Sequence, residues 1–268
     1  MSTDKMNILH FLCINFFAIC VERGKIHLKK PIFSCRFLAF LIVLSILFTI
    51  LFGIAEKTNQ RSETDVVNRT PSSPFTTVIL DAGHGGEDGG ASGADGLLEK
   101  DLNLSLALAM REILTANGIE VVLTRDTDTL LYDRNANFQG QKKRLDMAAR
   151  LKIANETPNA MFVSIHMNTY PHPSCQGVQV WYSDNNEASF ELAKTIQSTT
   201  QELLQNENDR TVKRSGSSIY LLRKLECPAV LVECGFLSSP EEAALLGDEN
   251  YRQQLALTLC MGILRTIP

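Results

Sequence analysis

Apolar residues are distributed along this chain in two different ways, and the change falls near residue 75. From Phe37 to Ala55 the stretch "FLAFLIVLSILFTILFGIA" runs nineteen residues without a charge, about the length that crosses a hydrocarbon core as a helix. Residues 56–75, "EKTNQRSETDVVNRTPSSPF", are polar and rich in turn formers, with no apolar periodicity, and read as a tether. From Thr76 onward, short apolar runs alternate with longer stretches of helical period. Strands are predicted at Thr77 to Asp81, Glu120 to Thr124, Met161 to Ile165, Val178 to Tyr182, Ile219 to Leu222 and Ala229 to Glu233. Helices are predicted at Lys100 to Ala116, stopped by Asn117-Gly118, at Gln141 to Ala154, at Glu187 to Gln205 and at Tyr251 to Arg265. A short helix starts at Ser239, with Pro240 in its first turn and Glu242 in capping-box position. Strands separated by helices of this length predict an α/β fold: a mostly parallel or mixed sheet of about six strands with helices on both faces.

Charge adds a direction to this layout. The chain of 268 residues carries a formal charge of −4, divided as +4 over residues 1–55 and −8 over the rest. An acidic folded part is not the footprint of a nucleic-acid reader. Arg23, Lys25, Lys29, Lys30 and Arg36 precede the apolar run, whereas signs are mixed after it. The positive-inside bias therefore predicts a basic cytoplasmic segment (1–36), a single-pass membrane anchor (37–55), a linker (56–75) and a domain outside the membrane (76–268). A cleavable signal is the rival, because Gly53-Ile54-Ala55 is a small-x-small triplet. The apolar run is longer than such signals use. Cys175, Cys227, Cys234 and Cys260 lie in the outer part with no C-x-x-C spacing, and read as buried thiols.

Candidate chemistry sits where the predicted parallel strands end, since ligands of open α/β sheets gather there. "TVILDAGH" ends at His84, "MFVSIH" at His166 and "AVLVE" at Glu233. Seven of the sixteen glycines fall between Gly83 and Gly96. A phosphate cradle is a poor account of them: no Gly-Lys-Ser/Thr follows, and Glu87, Asp88 and Asp95 would repel the anion. Metal is the better account, since a hydrolytic zinc takes three ligands from His and Asp/Glu and keeps one position open. Glu87, Asp88, Asp95, Glu99 and Asp101 all lie near His84 in sequence. A glycine loop that folds back favours Glu99, at the head of the next helix. Glu233 is then left as an acid/base that is not a ligand. Cys234 with a histidine base is a competing nucleophile, but its side chain must face away from the cleft if Glu233 faces it.

These residues stand within a longer resemblance. "VILDAGHGGEDGGASG", "LLEKDLNLSLALAMREIL", "VVLTRDTD", "RLKIANETPNAMFVSIHMN", "GVQVWY", "SSIYLLRKLECPAVLVECGFLSSPEEAALL" and "YRQQLALTLCMGIL" follow in the order seen in the zinc-dependent N-acetylmuramoyl-L-alanine amidases of the amidase-3 type, which the chain resembles over nearly all of 76–268. The resemblance implies that His84, Glu99 and His166 bind Zn2+ and that Glu233 is the catalytic glutamate. It implies cleavage of the amide between the lactyl group of N-acetylmuramic acid and L-alanine of the peptidoglycan stem. The chain shows no inhibitory helix insertion, so the site is expected to be open unless a partner covers it. Anchor, short tether and lone catalytic domain look most like the spore-cortex members, with an activating lipoprotein or wall-associated protein as the expected partner. The alternatives are a zinc peptidase acting within the stem peptide and a catalytically silent peptidoglycan-binding protein, against which the retained Glu233 speaks.

Overall fold

In the computed structural model the described residues are 19–22, 25–28, 44–45, 48–49, 75–93, 96–133, 135, 140–170, 172 and 175–267. They divide into two compact units, 1–70 and 71–268. In the first, β1 (Ile19–Glu22) and β2 (Lys25–Leu28) pair antiparallel, Ile19 opposite Leu28. The expected membrane span at 37–55 lies outside the described residues except for Leu44, Ser45, Phe48 and Thr49, which are helical. Among the described residues no helix is long and apolar enough to cross a membrane. The linker expected at 56–75 lies outside them apart from Phe75.

The second unit alternates strand and helix: β3 (Thr77–Ala82), α1 (Glu99–Ala116), β4 (Glu120–Leu123), α2 (Lys142–Glu156), β5 (Ala160–Asn168), β6 (Gln179–Tyr182), α3 (Ala188–Leu203), β7 (Lys213–Arg214), α4 (Tyr220–Lys224), β8 (Ala229–Phe236), α5 (Pro240–Gly247) and α6 (Glu249–Leu264). Six strands form one sheet in the order β4-β3-β5-β8-β6-β7. The first four are mutually parallel, β6 runs antiparallel to β8, and β7 follows β6. The sheet is mixed, and the central strands β3, β5 and β8 end side by side.

Strand alternation divides the core into two layers. Val78, Leu80, Val163, Ile165, Val230 and Val232 face α1, α3, α5 and α6, which contribute Leu106, Met110, Ile196, Leu246 and Leu259 to one buried cluster. On the other face Ile79, Phe162 and Leu231 pack against α2 and α4 through Ala154, Leu221 and Leu222. The central strands are apolar on both faces because both are covered.

One predicted element is corrected. The run Ile219 to Leu222, expected as a strand, is helical: Ile219 caps α4 in extended conformation, and Leu221 and Leu222 turn down onto the sheet. A run of four apolar residues carries too few periods to separate strand from helix, and the packing surface decides. The sixth strand is instead Lys213–Arg214, paired with Trp181 and Tyr182. Both its residues are exposed, so it leaves no apolar signature.

Candidate metal centre

Each side chain of the centre owes its place to a particular local feature. His84 follows β3 by two residues and holds a left-handed backbone, φ 61°, unusual for a residue with a Cβ. Two buried arginines stabilise that exit. Arg150 donates from Nη1 to the Ala82 carbonyl (2.8 Å) and from Nη2 to that of His84 (2.7 Å). Arg125 donates to Ala82 O (2.9 Å) and Gly83 O (3.0 Å), and Asn103 Nδ2 adds a bond to Gly83 O (3.1 Å). Arg150 is in turn paired with Asp81 (2.5 Å) and Asp146 (2.8 Å), all three essentially unexposed. Burial alone would raise the Asp81 pKa, but Arg150, Ser164 and Thr124 outweigh it and hold the carboxyl below its ordinary value.

The glycine loop returns the chain to this point. Ser92 bridges Leu98, the Glu99 amide donates to Ala91 O (2.9 Å), and Glu99 Oε2 accepts from Ala91 N (2.8 Å). Two of the loop's glycines lie hard against the proposed ligands. A Cβ on Gly90, whose φ is +69°, would lie 2.5 Å from Glu99 Oε2. A Cβ on Gly83 would lie 2.3 Å from the His166 ring. The loop is permissive where the proposed ligands crowd the backbone.

His166 lies on β5 opposite Glu233 on β8, and just beyond it the ladder slips by one residue. There the Met167 N–H donates to Glu99 Oε1 at 3.0 Å. The same oxygen is 2.9 Å from His166 Nδ1 and 3.3 Å from His84 Nε2. One donor atom from each of His84, Glu99 and His166 lies within 4.8 Å of the other two. Donors on a tetrahedral zinc stand ~3.4 Å apart, given bonds of about 2.0 to 2.2 Å, so the two imidazoles and the carboxylate fit such an ion in type and in spacing. Asp88 Oδ2 stands 3.0 Å from the other nitrogen of His84, near enough for an ion pair though off the direction of a hydrogen bond. Burial opposes charge on His84, but Glu99 and Asp88 outweigh it and its pKa is raised. Burial likewise opposes charge on Glu99, and the two histidines hold its carboxyl well below the carboxylate range.

Glu233 belongs to the same face, and no ion pair joins it to Arg125 or Lys224. Its Oε2 is buried without a hydrogen-bond partner among the described residues. Burial pushes its pKa up to about 7, with Glu99 adding to the rise and the two histidines opposing it. Cys234 points to the opposite face, fully buried in the larger cluster. Burial drives its thiol far above the ordinary range, and it faces away from the cleft. A cleft of about 340 Å³ opens beside the two histidines, with Lys143 and Met147 of α2 on one side, Tyr220 and Leu222 of α4 on the other, and Leu231 on the sheet. The four residues singled out from sequence thus come to one end of the sheet. The arginine and aspartate network beneath them was not anticipated. Its one signal was Asp81, a carboxylate inside an apolar strand, which has to find a cation.

Comparison with known proteins agrees with this geometry. The family model Amidase_3, N-acetylmuramoyl-L-alanine amidase, matches residues 78–265. The germination-specific N-acetylmuramoyl-L-alanine amidase of Bacillus subtilis is 37% identical over 188 residues, which cover 70% of this chain and 78% of that protein. Among solved structures, the CwlD amidase of Clostridioides difficile, in complex with the GerS lipoprotein, is 39% identical with a TM-score of 0.67, covering 71% of this chain and 98% of that one. The amidase AmiC2 of Nostoc punctiforme is 34% identical with a TM-score of 0.60, covering 72% and 97%. With two thirds of its length matched and the histidines and carboxylates gathered at the strand ends, the chain belongs to the N-acetylmuramoyl-L-alanine amidases of the Amidase_3 family.

Proposed function

We propose that this amidase is a zinc hydrolase in which His84, Glu99 and His166 hold the metal and Glu233 moves the proton. The observation that carries the reading is the cluster itself: two imidazoles and a carboxylate within 4.8 Å, with a half-buried carboxyl in register beside His166. Bound zinc would polarise the scissile carbonyl and acidify the attacking water. The remaining work falls to the chain. Glu233, with a pKa about 7, accepts the proton of the attacking water and delivers it to the amide nitrogen that leaves with L-alanine. Met167 N–H and Ala91 N–H hold the two oxygens of Glu99 in place. Arg150 and Arg125 keep the His84 loop from relaxing. The cleft between α2 and α4 receives the polymer next to the reacting bond.

The biological setting is part of the same proposal. Likeness to a germination-specific amidase and to an amidase solved with a lipoprotein supports a role in spore-cortex maturation and a lipoprotein partner. The uncharged run at 37–55 and the basic residues before it support a single-pass anchor with the catalytic domain outside the membrane. The activity is tested by digesting isolated wall or cortex and identifying the products. Amidase action releases peptides that begin with L-alanine and leaves peptide-free glycan. Peptides cut further along the stem would assign a peptidase instead.

A further inference from the structure

β6 brings a third side chain into the row formed by His166 and Glu233. Gln179 is the register partner of Glu233, as Glu233 is of His166. Alternation keeps all three on the face that bears the centre: Val178 and Val180 belong to the opposite cluster, while Trp181 packs with Leu231 on this one. Gln179 is 2% exposed. Its orientation is set from behind, since Nε2 donates to the Thr211 carbonyl at 2.7 Å, and a carbonyl accepts only from the nitrogen end. The oxygen end is therefore turned away from Thr211. Gln179 Oε1 is buried without a hydrogen-bond partner among the described residues, and so is Glu233 Oε2. Both are acceptors. Directly opposed residues of an antiparallel pair hold their Cβ atoms ~4.5 to 5.5 Å apart, so amide and carboxyl can meet, but only with a hydrogen between them.

We propose that Gln179 is a positioning residue for Glu233, its Oε1 accepting the hydrogen that Glu233 carries between taking a proton from water and delivering it. The inference rests on the acid/base reading of Glu233. Water loses a proton to the Glu233 carboxylate as its oxygen bonds to the amide carbon. The hydrogen then on the carboxyl is held toward Gln179. As the C–N bond breaks, the proton passes to the departing nitrogen and Glu233 returns to the carboxylate. Each acceptor is buried without a partner among the described residues, and the loaded carboxyl satisfies both at once. A purely structural role, tying β6 to the Thr211 segment, would leave the chemical step untouched.

The test is a double-mutant cycle in the full chain, Gln179→Met with Glu233→Gln. Rates on wall substrate, KM, zinc content and denaturation midpoint are measured for all four proteins. Gln179→Met should lower kcat roughly tenfold, the worth of about one hydrogen bond, with KM and zinc content unchanged. Added to Glu233→Gln it should lower the residual rate no further. An unchanged kcat, or the same factor lost in both backgrounds, would overturn the role of Gln179. Should the Met variant not fold, Gln179→Asn withdraws the oxygen by one methylene and serves the same comparison. Full activity in Glu233→Gln alone would instead remove the acid/base reading on which the inference stands.

Discussion

His84 carries its ring on a backbone with φ 61°, and the residues that stabilise that conformation come from far along the chain. Arg150 satisfies two carbonyls at the turn while neutralising Asp81 and Asp146, all three residues being buried. Removing the cation leaves two carboxylates buried without it. Arg150→Met should therefore destabilise the domain by about 3 to 5 kcal/mol, read as a shift in denaturant midpoint. A loss below about 1 kcal/mol would mean that the network is better hydrated than its burial indicates. The glycines make a separate claim. Gly90→Ala places a Cβ 2.5 Å from Glu99 Oε2 at a φ of +69°, so the variant should bind zinc more weakly than Gly96→Ala, where a Cβ meets nothing within 4 Å among the described residues. Equal affinities in metal titration would separate the loop from the centre. The strand-end histidines and glutamate were legible because strand ends follow from the apolar pattern. Asp146, Arg150 and Gln179 were not, since a helix face or a strand edge gives no sign of what lies across from it.

The long helices were the most legible elements. The helices α1, α3 and α6 run sixteen residues or more, and their apolar periodicity places each within two residues of its observed bounds. Two short elements were missed for a physical reason: α4 has five residues and β7 has two, too few for a period to show, and both owe their conformation to the sheet they lie against. The four-residue β4 and β6 were legible because their runs are rich in apolar and β-branched residues. Caps behaved as local chemistry requires. Ser239 Oγ accepts from Glu242 N (3.4 Å) at the start of α5, and Asp248 Oδ1 accepts from Tyr251 N (2.9 Å) at the start of α6. Asp248→Ala should cost about 1 kcal/mol of stability and leave amide cleavage unchanged, because α6 packs on the face of the sheet that Glu233 does not use. A loss of activity exceeding the loss of folded protein would tie that helix to the centre.

The whole molecule puts its chemistry at one end of a mixed sheet whose two faces are both covered, so the site is framed by two buried clusters. A fragment beginning at Ser72 keeps every strand of that sheet and both clusters. It should be soluble, fold cooperatively and bind zinc; aggregation of the fragment while the full chain stays folded in detergent would move the domain boundary. The central claim is that metal binding and proton transfer belong to different carboxylates. It is tested most directly by measuring zinc content and amide cleavage together in Glu99→Gln and Glu233→Gln. An amide is a weaker zinc ligand than a carboxylate, so Glu99→Gln should lose both metal and activity. Glu233→Gln should keep its zinc and lose at least about a hundredfold in turnover, as expected when a general acid/base is removed. Metal lost from Glu233→Gln and retained in Glu99→Gln would contradict the account by reversing the two roles.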